Sequence, residues 1–274
     1  MEHRALHRCA VLTAACATLL FVTGPAVSSN EARPLYELGQ WHVWLGETAS
    51  ILMVALAIWL LRSDLRGWLR GAGYWIIAAT VVEGLLGFVP EPPSASVRVW
   101  HSLLGQLLFS TTVAIAAGTS QTGRQAPRSV PRGPMMRSLA TSTLAVVLLQ
   151  VVLGAAFRQG VLGFAPHLLW AFAVAIFLSI AVAVILNAEL TEVRPAGIVL
   201  ASVAGSQILL GFTVFTMQSV DADPSILIIA TTAHAVLGAL TLASAVMLAT
   251  LVRAVVSPGA SQLSPGLCAE SMTK

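Results

Sequence analysis

Eight times along this chain an apolar run of about 20 residues, the length that crosses a hydrocarbon core of roughly 30 Å, is followed by a short polar connection. The runs fall near 9–27, 41–61, 71–89, 97–118, 138–157, 164–187, 195–217 and 225–255. With a mean hydropathy of +0.83 and 10% charged residues, the chain has too little polar surface to face water as a globule. The fold class expected is an all-α integral membrane protein of eight transmembrane helices. The last run exceeds what a span needs, so its first turns after Pro224 project into the outer headgroup region or the helix tilts.

Lys and Arg stay on the cytoplasmic side of a membrane, so their placement predicts orientation. With the N-terminus inside, Arg4, Arg8, Arg62, Arg66, Arg70, Arg124, Arg128, Arg132, Arg137, Arg194, Arg253 and Lys274 fall inside, and only Arg33, Arg98 and Arg158 fall outside. This predicts a multi-pass protein of the cell (inner or plasma) membrane with both termini in. The net charge of +3 comes from these anchors, and no basic patch interleaved with aromatics points to nucleic acid. Cys9, Cys16 and Cys268 form no Cys-x-x-Cys and no outward pair, so neither a disulfide nor zinc is implied. Residues 1–30 read as a first helix or a signal anchor, since a basic head, an apolar run and Ala26-Val27-Ser28 also fit a signal peptide. Helices 2–4 then occupy 31–118, a basic cytoplasmic linker 119–137, helices 5–8 138–256, and a disordered cytoplasmic tail 257–274.

An internal repeat divides these helices into two pseudo-symmetric four-helix bundles. Even-numbered helices open with a histidine followed four residues later by a small residue: His42 and Gly46, His101 and Gly105, His167 and Ala171, His234 and Gly238. Odd-numbered helices close on Glu83-Gly-Leu-Leu-Gly87, Gln150-Val-Val-Leu-Gly154 and Gln207-Ile-Leu-Leu-Gly211. Residues four apart share a helix face, so a glycine one turn inward of a histidine removes bulk beside it, leaving room for a flat macrocycle. The same glycines also suit close helix packing in lipid.

One histidine in an apolar helix is usually a packing residue, but four in register at the outer ends of the even helices form a ligand pattern. Imidazoles on facing helices are axial ligands of b-type haem buried in a bundle. The pairs expected are His42 with His101 and His167 with His234. Zinc or copper would draw on carboxylates or thiolates as well, and the cysteines lie toward the other side. Intramembrane acids are few: Glu47 and Glu83, with Glu37 at the interface. Each is costly to bury unless protonated or paired, which makes it a functional candidate. Glu83 stands at the repeat position that Gln150 and Gln207 fill elsewhere, and is the first choice for proton transfer beside a ligand. Arg33, Arg98 and Arg158 stand where haem propionates would emerge.

The ordered set of histidines resembles the haem A synthase family of cytochrome oxidase assembly. Leu149-Gln150-Val-Val-Leu-Gly154-Ala-Ala-Phe-Arg158, Gln207-Ile-Leu-Leu-Gly211 and Thr232-Ala-His234-Ala-Val-Leu-Gly238-Ala-Leu carry the resemblance, which covers roughly residues 9–255. It implies an oxidoreductase that converts the C8 methyl of haem O to the formyl of haem A. It also implies haem b on His167 and His234, the substrate haem on His42 and His101, and partners among quinol or another redox donor and the oxidase assembly machinery. The family's second helix typically reads Glu-x-x-His-Arg, whereas here Gly39 and Val43 hold the Glu and Arg positions. Glu37 and Glu47 each lie five residues from His42, about 140° around an ideal helix. The resemblance therefore leaves two functions: an enzyme in which Glu83 or Glu37 replaces the missing carboxylate, or a di-haem b-type cytochrome or haem carrier without that reaction.

Overall fold

The computed structural model describes residues 2–28, 36–63, 67–90, 93–188 and 190–258. Arg33, Arg66, Cys268, Lys274 and the tail from residue 259 lie outside the described residues. The elements among the described residues are α1 (Glu2–Ser28), α2 (Tyr36–Arg62), α3 (Gly67–Gly87), α4 (Ala95–Thr119), α5 (Gly133–Arg158), α6 (Phe164–Leu186), α7 (Arg194–Ser219) and α8 (Pro224–Val255), with a 3-10 turn at Thr122–Arg124. All eight α-helices are long and apolar enough to cross a membrane. Several start before the apolar run that marks them, α1 at Glu2 and α5 at Gly133. Hydropathy measures the apolar stretch, while the backbone keeps its internal hydrogen bonds through the flanking basic turns.

Local chemistry sets where the histidine-bearing helices begin. Ser94 Oγ accepts the Val97 N–H at 3.3 Å and opens α4 one residue later. Asp223 Oδ1 accepts from Ser225 N at 2.8 Å and Ile226 N at 3.4 Å, with Pro224 in the first helical position, where its missing N–H costs nothing. Between α5 and α6, Gly160 adopts φ +71°, a conformation a Cβ would strain, while Gly160 N and Val161 N bond back to Phe157 O and Ala156 O. This closes the turn over 159–163 and sets the start of α6, and so the depth of His167.

α1 packs on α2 and α4, α2 on α3, and α3 on α4, so the first four helices form a closed ring. The last four do the same through α5 on α6 and α8, α6 on α7, and α7 on α8. The rings meet where α8 packs on α4 and α1 and where α4 touches α5. α8 is shared: Ala243 joins the apolar cluster of Leu56, Leu60, Ile76 and Ile115, while Leu242, Ala245 and Leu248 join that of Leu178, Ile185 and Leu200. Its buried face is rich in alanine, at 239, 243, 245 and 249, and small residues let helix backbones approach closely where lipid offers no hydrophobic contrast.

Away from the histidines, the basic connection is strapped to the end of α8. Arg128 N donates to Val255 O and Ser257 N to Arg128 O, both at 2.9 Å. Arg128 also pairs with Glu192 at 2.8 Å. Arg137 Nη1 donates to Val256 O at 2.6 Å and Arg253 O at 3.0 Å.

Candidate functional site

Each of the four histidines lies near the start of an even helix and is half-buried. In the first ring α2 and α4 stand diagonally opposite, and the His42 and His101 rings meet across the centre with centroids 6.4 Å apart and planes at 81°. The glycines explain how the rings fit. A Cβ on Gly24, Gly154 or Gly211 would lie 3.0 Å from Cε1 of His42, His167 or His234, and one on Gly87 would lie 3.5 Å from Cε1 of His101. The His42, His167 and His234 rings therefore occupy space that a glycine on the preceding helix leaves open, while His101 stands in ordinary contact distance of Gly87.

The glycine one turn past His42, His101 and His234 serves a different neighbour from the one its spacing suggests. A Cβ on Gly105 would lie 3.0 Å from Glu83 Oε1, and one on Gly238 would lie 3.2 Å from Gln207 Nε2. On Gly46 it would lie 4.0 Å from Leu20 Cδ2. The room expected there for a macrocycle is taken by the side chain at the repeat position of the preceding helix, because adjacent antiparallel helices bring that residue and the glycine to one depth.

The same helices hold the ring nitrogens. Thr23 Oγ1 is 2.9 Å from His42 Nδ1, and the Thr23 hydroxyl has the Leu19 and Leu20 carbonyls at 3.4 Å to receive its own proton. It is thus set to accept from an Nδ1–H. Glu83 Oε1 is 3.1 Å from His101 Nδ1, an ion-pair distance, while His101 Nδ1 and Glu83 Oε2 are buried without hydrogen-bond partners. Gln150 Nε2 is 3.2 Å from His167 Nδ1 and donates to His167 O at 3.3 Å. Gln207 Nε2 is 3.3 Å from His234 Nε2. Phe157 stacks on His167 at 6.0 Å. Gln150 Oε1, Gln207 Oε1 and His234 Nδ1 are buried without partners.

Thr23 and Gly24 escaped the sequence pattern. Leu20 precedes Gly24 by four residues, as Glu83 precedes Gly87, but leucine in place of Glu or Gln hides the repeat in α1. Its signal is the glycine alone, and only the packing of α1 on α2 gives that glycine a meaning.

Glu37 and Glu47 are exposed on the outward face of α2, where Glu37, Gln40, Trp41 and Trp44 line a shallow recess. Arg98 Nε donates to Gln159 Oε1 at 2.7 Å and its Nη1 to Pro93 O at 3.0 Å. Arg158 Nη2 donates to Pro25 O at 2.6 Å and to Ser28 Oγ at 3.2 Å. Both guanidinium groups therefore tie the two rings of helices together at the histidine end. Among the described residues no three of His, Cys, Asp and Glu converge. A metal at these histidines would have two protein ligands and must bring the rest itself.

No protein-family model matches the chain, and no curated protein matches it.

Proposed function

We propose that this is a multi-pass haem protein of the cell membrane, with both termini in the cytoplasm and two pseudo-symmetric four-helix bundles. In this reading it holds haem b between His167 and His234 and oxidises the C8 methyl of haem O, held between His42 and His101, to the formyl of haem A. The observation that carries the reading is the seating of four imidazoles, each beside a glycine of the preceding helix and with a polar side chain of that helix within 3.3 Å of a ring nitrogen. At His42, His101 and His167 that nitrogen is Nδ1, which leaves Nε2 for iron, the arrangement of metal-binding histidines generally; at His234 it is Nε2, which leaves Nδ1. His42 and His101, whose ring centres lie 6.4 Å apart across the first ring of helices, would hold the iron of one haem.

The glutamines fit it after one adjustment. Turning the Gln150 amide about its last bond sets Oε1, otherwise without a partner, to accept from His167 Nδ1–H, at the loss of the weak bond to His167 O. Turning the Gln207 amide sets Oε1, otherwise without a partner, to accept from His234 Nε2–H. Bound haem supplies the redox and oxygen-linked chemistry. The protein orients it, and Glu83 is the acid positioned to hold or pass a proton at the His101 edge of the first site.

A second reading, a di-haem b-type cytochrome or haem carrier, draws support from Gly39 and Val43 beside His42 and from the outward placement of Glu37 and Glu47. Acid-acetone extraction and mass analysis of haem from protein made with and without a haem O source separates the two. Haem O or haem A alongside haem B is expected. Haem B alone under both conditions gives the second reading, and colourless protein from haem-replete cells overturns both.

A further inference from the structure

We infer that Arg158, at the end of α5, is a positioning residue for the histidine site of the other ring, acting through the last turn of α1. A cation beside the last turn of a helix meets the negative end of the helix dipole. α1 ends at Ser28, and Arg158 Nη2 reaches the Pro25 carbonyl at 2.6 Å and Ser28 Oγ at 3.2 Å. Ser28 Oγ donates to the same Pro25 carbonyl at 3.2 Å, so the guanidinium joins a small network that closes this helix end.

The two residues just before Pro25 are the ones that set His42. Gly24 lies beneath its ring, where a Cβ would come within 3.0 Å of Cε1, and Thr23 Oγ1 stands 2.9 Å from its Nδ1. A displacement of the Pro25 carbonyl moves the floor and the hydrogen-bond acceptor of His42 together. Arg158 also follows Gly154, the floor of His167, by one turn. The orientation of His42 therefore depends on a residue from the other half of the chain. The inference deepens the proposed haem reading as a coupling between its two sites, while its geometry involves no haem.

The test reads the imidazoles directly, by long-range proton–nitrogen NMR of the full-length protein in nanodiscs with 15N-histidine, each ring assigned by His→Gln substitution. In the wild type, His42 is expected as a single tautomer with its proton on Nδ1. Thr23→Val should abolish that preference while His167 and His234 keep their shifts. Arg158→Met should disturb His42 more than His101, His167 or His234. Should Arg158→Met fold poorly, Arg158→Lys, which keeps the charge without the forked reach, should still shift His42 in the same direction. Unchanged His42 signals in a folded Arg158 variant would overturn the inference. So would equal shifts of all four rings, which mark general loosening. Protein lacking haem gives the same readout, so failure of the haem reading and failure of this one are separate outcomes.

Discussion

A single methyl group is enough to test how the four rings are seated. An added Cβ at 3.0 Å from a ring carbon forces the imidazole or its helix to shift, whereas one at 3.5 Å makes an ordinary contact. Gly24→Ala, Gly154→Ala and Gly211→Ala are therefore expected to destabilise the detergent-solubilised protein by about 1–2 kcal/mol, the range for overpacking a close-fitted site. Gly87→Ala should fall near zero, since Gly87 is exposed and its ring neighbour is farther away. Unfolding titrations of the four variants check this, and equal losses at all four would show that the seats are not the determinant. The histidines, glycines and polar repeat positions 83, 150 and 207 were legible in the sequence because they recur at fixed spacing. What each glycine accommodates was not, because spacing along one helix does not say which residue of the next helix stands beside it.

At the scale of the elements, length and apolarity located all eight helices, but not their inward faces. α6 is apolar all round, so nothing in its sequence distinguishes buried Val174, Leu178 and Ile185 from exposed Phe172, Ile176 and Ile180. The strap between α4 and α5 was legible only as a basic linker, since its bonds run to the end of α8, more than a hundred residues away. Its parts should differ in weight. Arg137 donates to two carbonyls that end α8, and losing charge-assisted bonds of that kind in Arg137→Ala is expected to lower stability by about 1–2 kcal/mol. The Glu192 carboxyl is held below its ordinary range by its own backbone N–H and then by Arg128. A folded pKa lowered in this way adds stability above the ordinary carboxylate value and loses it as pH falls through the folded one. Because the Arg128–Glu192 pair is at the surface, that term should be about 0.5 kcal/mol or less. Thermal unfolding of Glu192→Gln should thus match the wild type at acid pH and differ slightly at neutral pH, and a large difference at neutral pH would assign the strap to this pair instead of its backbone bonds.

For the whole molecule, the distribution of arginine acquires more force from the structure than its count along the sequence carries. Arg98 and Arg158, the two described arginines at the histidine end, direct their guanidinium groups to Gln159, Pro93, Pro25 and Ser28, so they act as internal ties. The other described arginines lie at the opposite end, where contacts of His7 with Ala116, Arg137 with Val256 and Arg128 with Glu192 gather the start of α1, the end of α4, the start of α5, the end of α8 and the α6–α7 turn. A membrane protein with one face so basic and the other using its arginines internally should place the basic face in the cytoplasm. Asp221, in the α7–α8 turn, then faces the outer phase with the histidines nearer to it than to the cytoplasm. In a background with Cys9, Cys16 and Cys268 replaced by serine, Asp221→Cys should react with an impermeant maleimide on intact cells, and Arg128→Cys only after the membrane is permeabilised. The reverse labelling would turn the histidine quartet to the cytoplasmic side, where haem propionates would meet the inner aqueous phase, and the proposal of an outward-facing haem site would fall with it.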